Sequence, residues 1–354
     1  MNRTERALHE QAHALWATVW CFVFGVVTGI ILLWGDPRPF TGEGPVLLPV
    51  ALVAAFVTAV AFLVSTFYYR RDETRPMPHW QSTVSNISAI SVTIAMGGVA
   101  GLGVLLMGQV LTSGLQGLEF GQFSGGLFTG VVAAFGGRLA FQAGVQLSTR
   151  DIANLLVVFL VIATVFAMLT GTDPAWWQRN FSQLGVGAGA WALNGTVIIA
   201  GLLVATIGLY IGRDLHRLLD DDALRRIAFV VIVWVAAGCA LAAVGGIPTD
   251  ELPVAHTIAA FTTLVLFVPA AALTTTALTP PPAVLRAVTV MVVLLIVICT
   301  ALTLFLPGLS FTALESSVVG LVLLWLTTVI RVLNILVPNV SKTSQRNRLW
   351  QTRR

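Results

Sequence analysis

Charge is what this chain has least of. Only 10% of its 354 residues are Asp, Glu, Lys or Arg, against roughly 25% in an ordinary soluble domain. Hydrophobic residues make up 56%, and the mean hydropathy is +0.88. Such a chain has too little polar surface to fold as a soluble globule, so composition places it among multi-span membrane proteins. Cysteine is scarce as well. Cys21, Cys239 and Cys299 lie far apart inside apolar runs, without the pairing or ligand spacing of a disulfide framework or a zinc site. No metal and no cofactor is expected. Lysine occurs once, at Lys342, and the arginines are spread over many loops rather than gathered on one face. That dispersion excludes a nucleic-acid-binding module despite a net charge of +4 and a pI near 9.4.

What the chain does have is long apolar runs. A helix rising about 1.5 Å per residue needs about 20 apolar residues to cross about 30 Å of hydrocarbon. Ten segments qualify: 15–33, 46–67, 88–111, 125–144, 152–170, 191–211, 227–245, 254–273, 285–306 and 314–333. The expected fold is therefore an all-α integral membrane protein with about ten transmembrane helices. The fourth segment is glycine-rich and carries Arg138 and Gln142 near one end. The first is expected to remain in the chain, because Leu33-Trp34-Gly35-Asp36 lacks the small-x-small pattern of a cleaved signal peptide.

Loop charge gives an independent check on this count. With the N-terminus placed inside and the loops numbered alternately, eighteen of the 20 cations fall on the inner side, leaving only Arg38 and Arg179 outside. An extra or missing span would reverse every later loop and scatter that pattern. Both termini are thus expected to be cytoplasmic, and the membrane is expected to be the plasma membrane. The longest connections, 68–87 and 171–190, hold about 20 residues each. They leave no room for a soluble domain, so any chemistry belongs within the bilayer or at its surface.

Polar groups near hydrocarbon are costly unless paired, which makes them the informative residues. They collect on the expected outer face. After the fifth span comes Asp173-Pro174-Ala175-Trp176-Trp177-Gln178-Arg179-Asn180-Phe181-Ser182-Gln183-Leu184-Gly185. It reads as a short interfacial helix capped by Asp173, with Trp176 and Trp177 in the aromatic belt. It also reads as a ligand loop, in which Arg179, beside Asn180, Ser182 and Gln183, receives a phosphate or carboxylate. Between the seventh and eighth spans, Gly245-Gly246-Ile247-Pro248-Thr249-Asp250-Glu251 breaks the helix, and His256 follows within the next helix. Asp250 beside His256 suits proton transfer, while Thr249 or Asp250 as a helix cap, with His256 hydrogen-bonded to a neighbouring backbone group, is the plainer account. The run Thr312-Ala313-Leu314-Glu315 fits a capping box, and Glu315 is also a possible partner for Arg179 or Asp250.

Small residues recur at four-residue spacing in Gly25 and Gly29, Gly97 and Gly101, and Gly126 and Gly130, which favours close helix packing within the bundle. Residues 342–354 carry five cations and no acid, a tail suited to the anionic inner leaflet.

The order of these motifs resembles the bacterial membrane family known as domain of unknown function 998, distantly grouped with the Frag/DRAM/Sfk proteins, over residues 151–334. The resemblance rests on an N-x-S-x-L-G loop at Asn180-Phe181-Ser182-Gln183-Leu184-Gly185, an early Asn194 in the following span, the P-x-D of Pro248-Thr249-Asp250, and His256. Loops of that family more often carry Ser-Asp or Ser-Glu before Leu-Gly, where this chain has Gln183. The resemblance divides the chain into a five-span extension (1–149), a five-span family region (150–338) and the basic tail (339–354). It implies involvement with membrane lipid organisation or lipid-linked remodelling, and it carries no catalytic residue over.

Three functions follow from this reading. The first is a multi-pass protein that engages a lipid or envelope precursor at its outer face through Arg179, Asn180, Ser182, Asp250, His256 and Glu315, with membrane lipids as partners and no reaction required. The second is a transporter built from two inverted five-span halves. The third is a membrane-embedded hydrolase or transferase using Asp250 and His256 with Ser182, for which the test is whether Ser182 and His256 meet. Oligomeric state is not written in the sequence.

Overall fold

The fold comes from a computed structural model, which describes residues 3–70, 79–145, 147–219, 223–305 and 310–336. Among these residues ten helices are long and apolar enough to cross a membrane. They are α1 (Arg3–Leu32), α2 (Leu47–Arg70), α3 (His79–Leu111), α4 (Gln122–Val145), α5 (Thr149–Thr170), α6 (Ala190–Leu219), α7 (Leu224–Gly246), α8 (Pro253–Ala277), α9 (Ala283–Phe305) and α10 (Phe311–Leu336). The chain is an all-α, multi-pass membrane protein. Several helices outrun their apolar segments, α1 by twelve residues before residue 15 and α6 by eight after residue 211. Hydropathy marks where hydrocarbon ends, whereas a helix ends only where its backbone groups find other partners. At the start of α5 they do. Ser148 Oγ accepts from Asp151 N at 3.2 Å and Asp151 Oδ2 accepts from Ser148 N at 3.0 Å, a reciprocal capping box. The basic tail at 342–354 lies outside the described residues, as do Arg71 and Arg75.

The chain separates into two compact units. The first comprises Met1–Leu147 with Val161–Leu169, and the second Ser148–Leu160 with Thr170–Arg354.

In the first unit α4 packs along both α1 and α2, and α3 packs along α2. Lipid tails are as apolar as leucine, so these helices gain little from hydrophobic burial and associate through close contact of small residues. A Cβ placed on Gly25 would stand 2.8 Å from Ala133 Cβ and 2.9 Å from Gly130 Cα. Gly97 and Gly101 lie as closely against Ala51, Ala55 and Ala59 of α2. The small-residue spacings therefore build the bundle itself. At one end the α1–α2 and α3–α4 connections pair as two short antiparallel strands, β1 (Arg38–Pro39) and β2 (Glu119–Phe120), with Arg38 opposite Phe120. Beneath them Leu33, Phe40, Val46, Leu47 and Val50 form a buried apolar cluster against Phe120 and Phe128.

In the second unit α6 and α7 meet through glycine too, since a Cβ on Gly201 would run into Ala242 N and Gly238 O. Beyond that contact the helices are joined by side-chain hydrogen bonds. Trp234 of α7 and Trp325 of α10 stack with centroids 5.7 Å apart, and Phe267 of α8 meets both edge-on. Each indole N–H is satisfied: Trp234 Nε1 donates to Thr274 Oγ1 at 3.0 Å and Trp325 Nε1 to Thr289 Oγ1 at 2.8 Å. Thr275 and Thr289 share a further bond at 2.8 Å, linking α8 to α9. Near the opposite end from the site described below, the buried Asp214 of α6 accepts from Thr149 at the start of α5 and lies 3.4 Å from Arg213 Nε.

Candidate functional site

Helices α5 to α10 run alternately, so the α5–α6, α7–α8 and α9–α10 connections gather at one end of the second unit. The α5–α6 connection carries most of the local structure. Asp173 Oδ1 accepts from Ala175 N at 2.8 Å, turning the chain into a short 3-10 turn at Trp176–Gln178. The expected interfacial helix is thus a single tight turn. Extended backbone at Asn180 (φ −167°) separates it from a second 3-10 turn, Phe181–Gly185. The Trp176 and Phe181 rings pack across this break with centroids 5.0 Å apart.

The second turn is where the loops are knitted together. Ser182 Oγ lies 2.9 Å from His256 Nε2. His256 is only 8% exposed, and its other nitrogen, Nδ1, lies 2.9 Å from the Ile247 carbonyl. A carbonyl can only accept, so Nδ1 carries the proton. In the neutral ring Nε2 is then the acceptor, and Ser182 donates to it. One residue earlier, Phe181 N donates to Glu315 Oε2 at 2.7 Å, and Thr312 Oγ1 donates to the Trp177 carbonyl at 2.8 Å. The α5–α6 connection thus forms one polar cluster with the first turns of α8 and α10.

Four expectations change. Glu315 does not close a capping box with Thr312. Ser310 caps α10, its Oγ accepting from Ala313 N at 3.2 Å, and the carboxylate is taken instead by the α5–α6 loop. Asp250 does not pair with His256. It is exposed in the turn before α8 and makes no hydrogen bond or ion pair among the described residues. Nor does a side chain cap α8, which opens on Pro253 at its first turn with Leu252 before it. Arg179 is exposed, and its guanidinium reaches Gln183 Oε1 at 3.3 Å rather than Glu315. Asn180 Oδ1 is buried with no partner among the described residues. The structure therefore ties the Phe181–Ser182 segment to Glu315 and His256, leaves Asn180 beside it in the chain with a buried, unpartnered oxygen, keeps Arg179 exposed, and leaves Asp250 apart.

The geometry also explains the motif. Leu184 is buried, and Gly185 is required because a Cβ there would collide with the Asn194 side chain, whose Nδ2 donates to the Gly185 carbonyl at 3.1 Å. Asn180, Ser182, Leu184, Gly185, Asn194 and His256 are thus parts of one arrangement. A model of the family described as "Protein of unknown function (DUF998)" matches residues 155–332, half of the chain. The chain belongs to that family. The match to DUF998 covers α6 to α9 and most of α5 and α10, and it includes every residue of the cluster. Neither the curated proteins nor the solved structures contain a match to the chain.

The expected bond from His256 to a neighbouring backbone group is found at the Ile247 carbonyl, although which carbonyl it meets is not written in any residue code. Sequence reasoning missed the link between Gly185 and Asn194, although both stand in the motif.

Proposed function

We propose that this DUF998 protein holds the head group of a membrane lipid, or of a lipid-linked envelope precursor, at the end of the second unit formed by Arg179, Asn180, Ser182, His256 and Glu315. That end faces away from the cytoplasm of a plasma membrane with both termini inside, a placement supported by the arginine asymmetry of the loops. The observation that carries the reading is a buried oxygen, Asn180 Oδ1, with no partner among the described residues, next in the chain to the Phe181 and Ser182 that bond Glu315 and His256. A buried acceptor without a donor costs about 1 to 3 kcal/mol. A head-group hydroxyl or amine would supply the donor. Arg179, exposed beside it, suits the phosphate, since a guanidinium presents paired donors. Trp177, 57% exposed, is the type of side chain that settles among head groups.

Transport through two inverted halves finds less support. In the first unit the fourth helix packs on the first and second, whereas the fourth helix of the later five, α9, packs on α8 and α10. A repeat would pack alike in both halves.

The test is lipid retention by the purified full chain, read by native mass spectrometry. The wild type is expected to keep an anionic phospholipid that Arg179→Ala loses at least tenfold, or about 1.4 kcal/mol. Equal retention by the two proteins contradicts the head-group reading.

A further inference from the structure

Within the cluster one pair of atoms does more than hydrogen-bond a loop in place. Ser182 is only partly buried, whereas its partner His256 is almost wholly so. The imidazole is locked on both sides, by the Ile247 carbonyl at Nδ1 and by the serine at Nε2. That lock aims the basic nitrogen at the hydroxyl of a half-buried serine, which is the arrangement of a serine nucleophile with its general base. The orienting third member is a backbone carbonyl where triads carry a carboxylate. The carboxylate present, Glu315, is bonded to Phe181 N, the residue before Ser182.

We infer that Ser182 and His256 are a nucleophile and general base acting on the acyl ester of a phospholipid or lipid-linked precursor. The inference rests on the head-group reading above. With Arg179, three residues before Ser182, on the phosphate, the ester groups of the same lipid are the acyl electrophiles brought to this loop. In the first step Ser182 Oγ bonds to the ester carbonyl carbon, its proton passes to His256 Nε2, and the carbon–oxygen bond to the glycerol side breaks. The departing alkoxide takes that proton from Nε2. In the second step water gives its proton to Nε2 and attacks the acyl-serine. The fatty acid leaves, and the proton returns to Ser182 Oγ. No oxidant, reductant or metal is needed.

The deciding experiment is covalent labelling of the full chain, reconstituted in vesicles of phosphatidylglycerol and phosphatidylcholine in equal parts, with an alkyl fluorophosphonate. The wild type is expected to be modified at Ser182. His256→Gln, which keeps a polar side chain but no base, is expected to slow modification about 10²- to 10⁴-fold. Ser182→Cys guards against misfolding, because it should lose fluorophosphonate reactivity and gain reactivity toward iodoacetamide. Absence of labelling at Ser182, or labelling at the same rate in His256→Gln, overturns the nucleophile. If Ser182 stays unlabelled while lipid retention still depends on Arg179, the pair is a clasp and the head-group reading stands. If Ser182 is labelled but Arg179→Ala retains lipid normally, the head-group reading falls and the nucleophile remains.

Discussion

The two units solve the same problem by different means. In the first, helices touch through glycine and alanine, and the polar groups they bury are poorly served: Thr58 Oγ1, Thr66 Oγ1 and Ser88 Oγ have no hydrogen-bond partner among the described residues. Helix-to-helix side-chain bonds there include Ser65 Oγ to the Phe141 carbonyl at 2.6 Å and His13 with Tyr69 at 2.9 Å. In the second, Gly201, Gly208, Gly238 and Gly245 likewise let α6 and α7 touch, and tryptophans, threonines, serine, histidine and glutamate tie the other helices and loops together. Close packing alone is enough to hold a bundle in lipid. The added polar network fixes particular atoms, and it lies in the region that matches the family.

The largest effect is expected where the units agree. Gly25→Val in the first and Gly201→Val in the second both drive a branched side chain into an opposing helix, and each should cost about 3 kcal/mol, seen as lost thermal stability in detergent. A tolerant Gly201 would mean that hydrogen bonds, not contact, hold α6 to α7. The next effect separates the units by sign. Thr289→Val removes an oxygen that accepts from Trp325, bonds Thr275 and donates to the Leu285 carbonyl, and should destabilise by about 1 to 2 kcal/mol. Thr58→Val removes a buried hydroxyl with no partner and should be neutral or stabilising by up to about 1 kcal/mol. The same sign for both would erase the distinction. Trp325→Phe keeps the aromatic stack but loses one bond, for which about 0.6 kcal/mol is typical in a membrane. Asp250→Ala, at an exposed turn outside the cluster, should change stability by less than about 0.5 kcal/mol.

Hydropathy was enough to read all ten spans, because hydrocarbon thickness imposes a length on each. The glycine spacings were legible for the same kind of reason, since a four-residue repeat puts small residues on one helix face. The cluster was legible as residues but not as pairings. Ser182 and His256 stand 74 positions apart, and Phe181 and Glu315 stand 134 apart. No periodicity says which loops meet. Proximity in sequence misled in the opposite way, because Asp250, six residues before His256, looked like its natural acid. Pro253 opens α8 without a side-chain cap, and Asp250 stays exposed in the turn before it. The Thr312–Glu315 spacing fitted a capping box that Ser310 makes unnecessary.

The most direct test of the central claim is the lipid content of the envelope in a strain lacking this gene, complemented with wild type, Arg179→Ala or Asp250→Ala at matched protein abundance. The account predicts that one lipid class changes on deletion, that wild type and Asp250→Ala restore it, and that Arg179→Ala does not. Full restoration by Arg179→Ala would contradict a lipid site at this end of the protein.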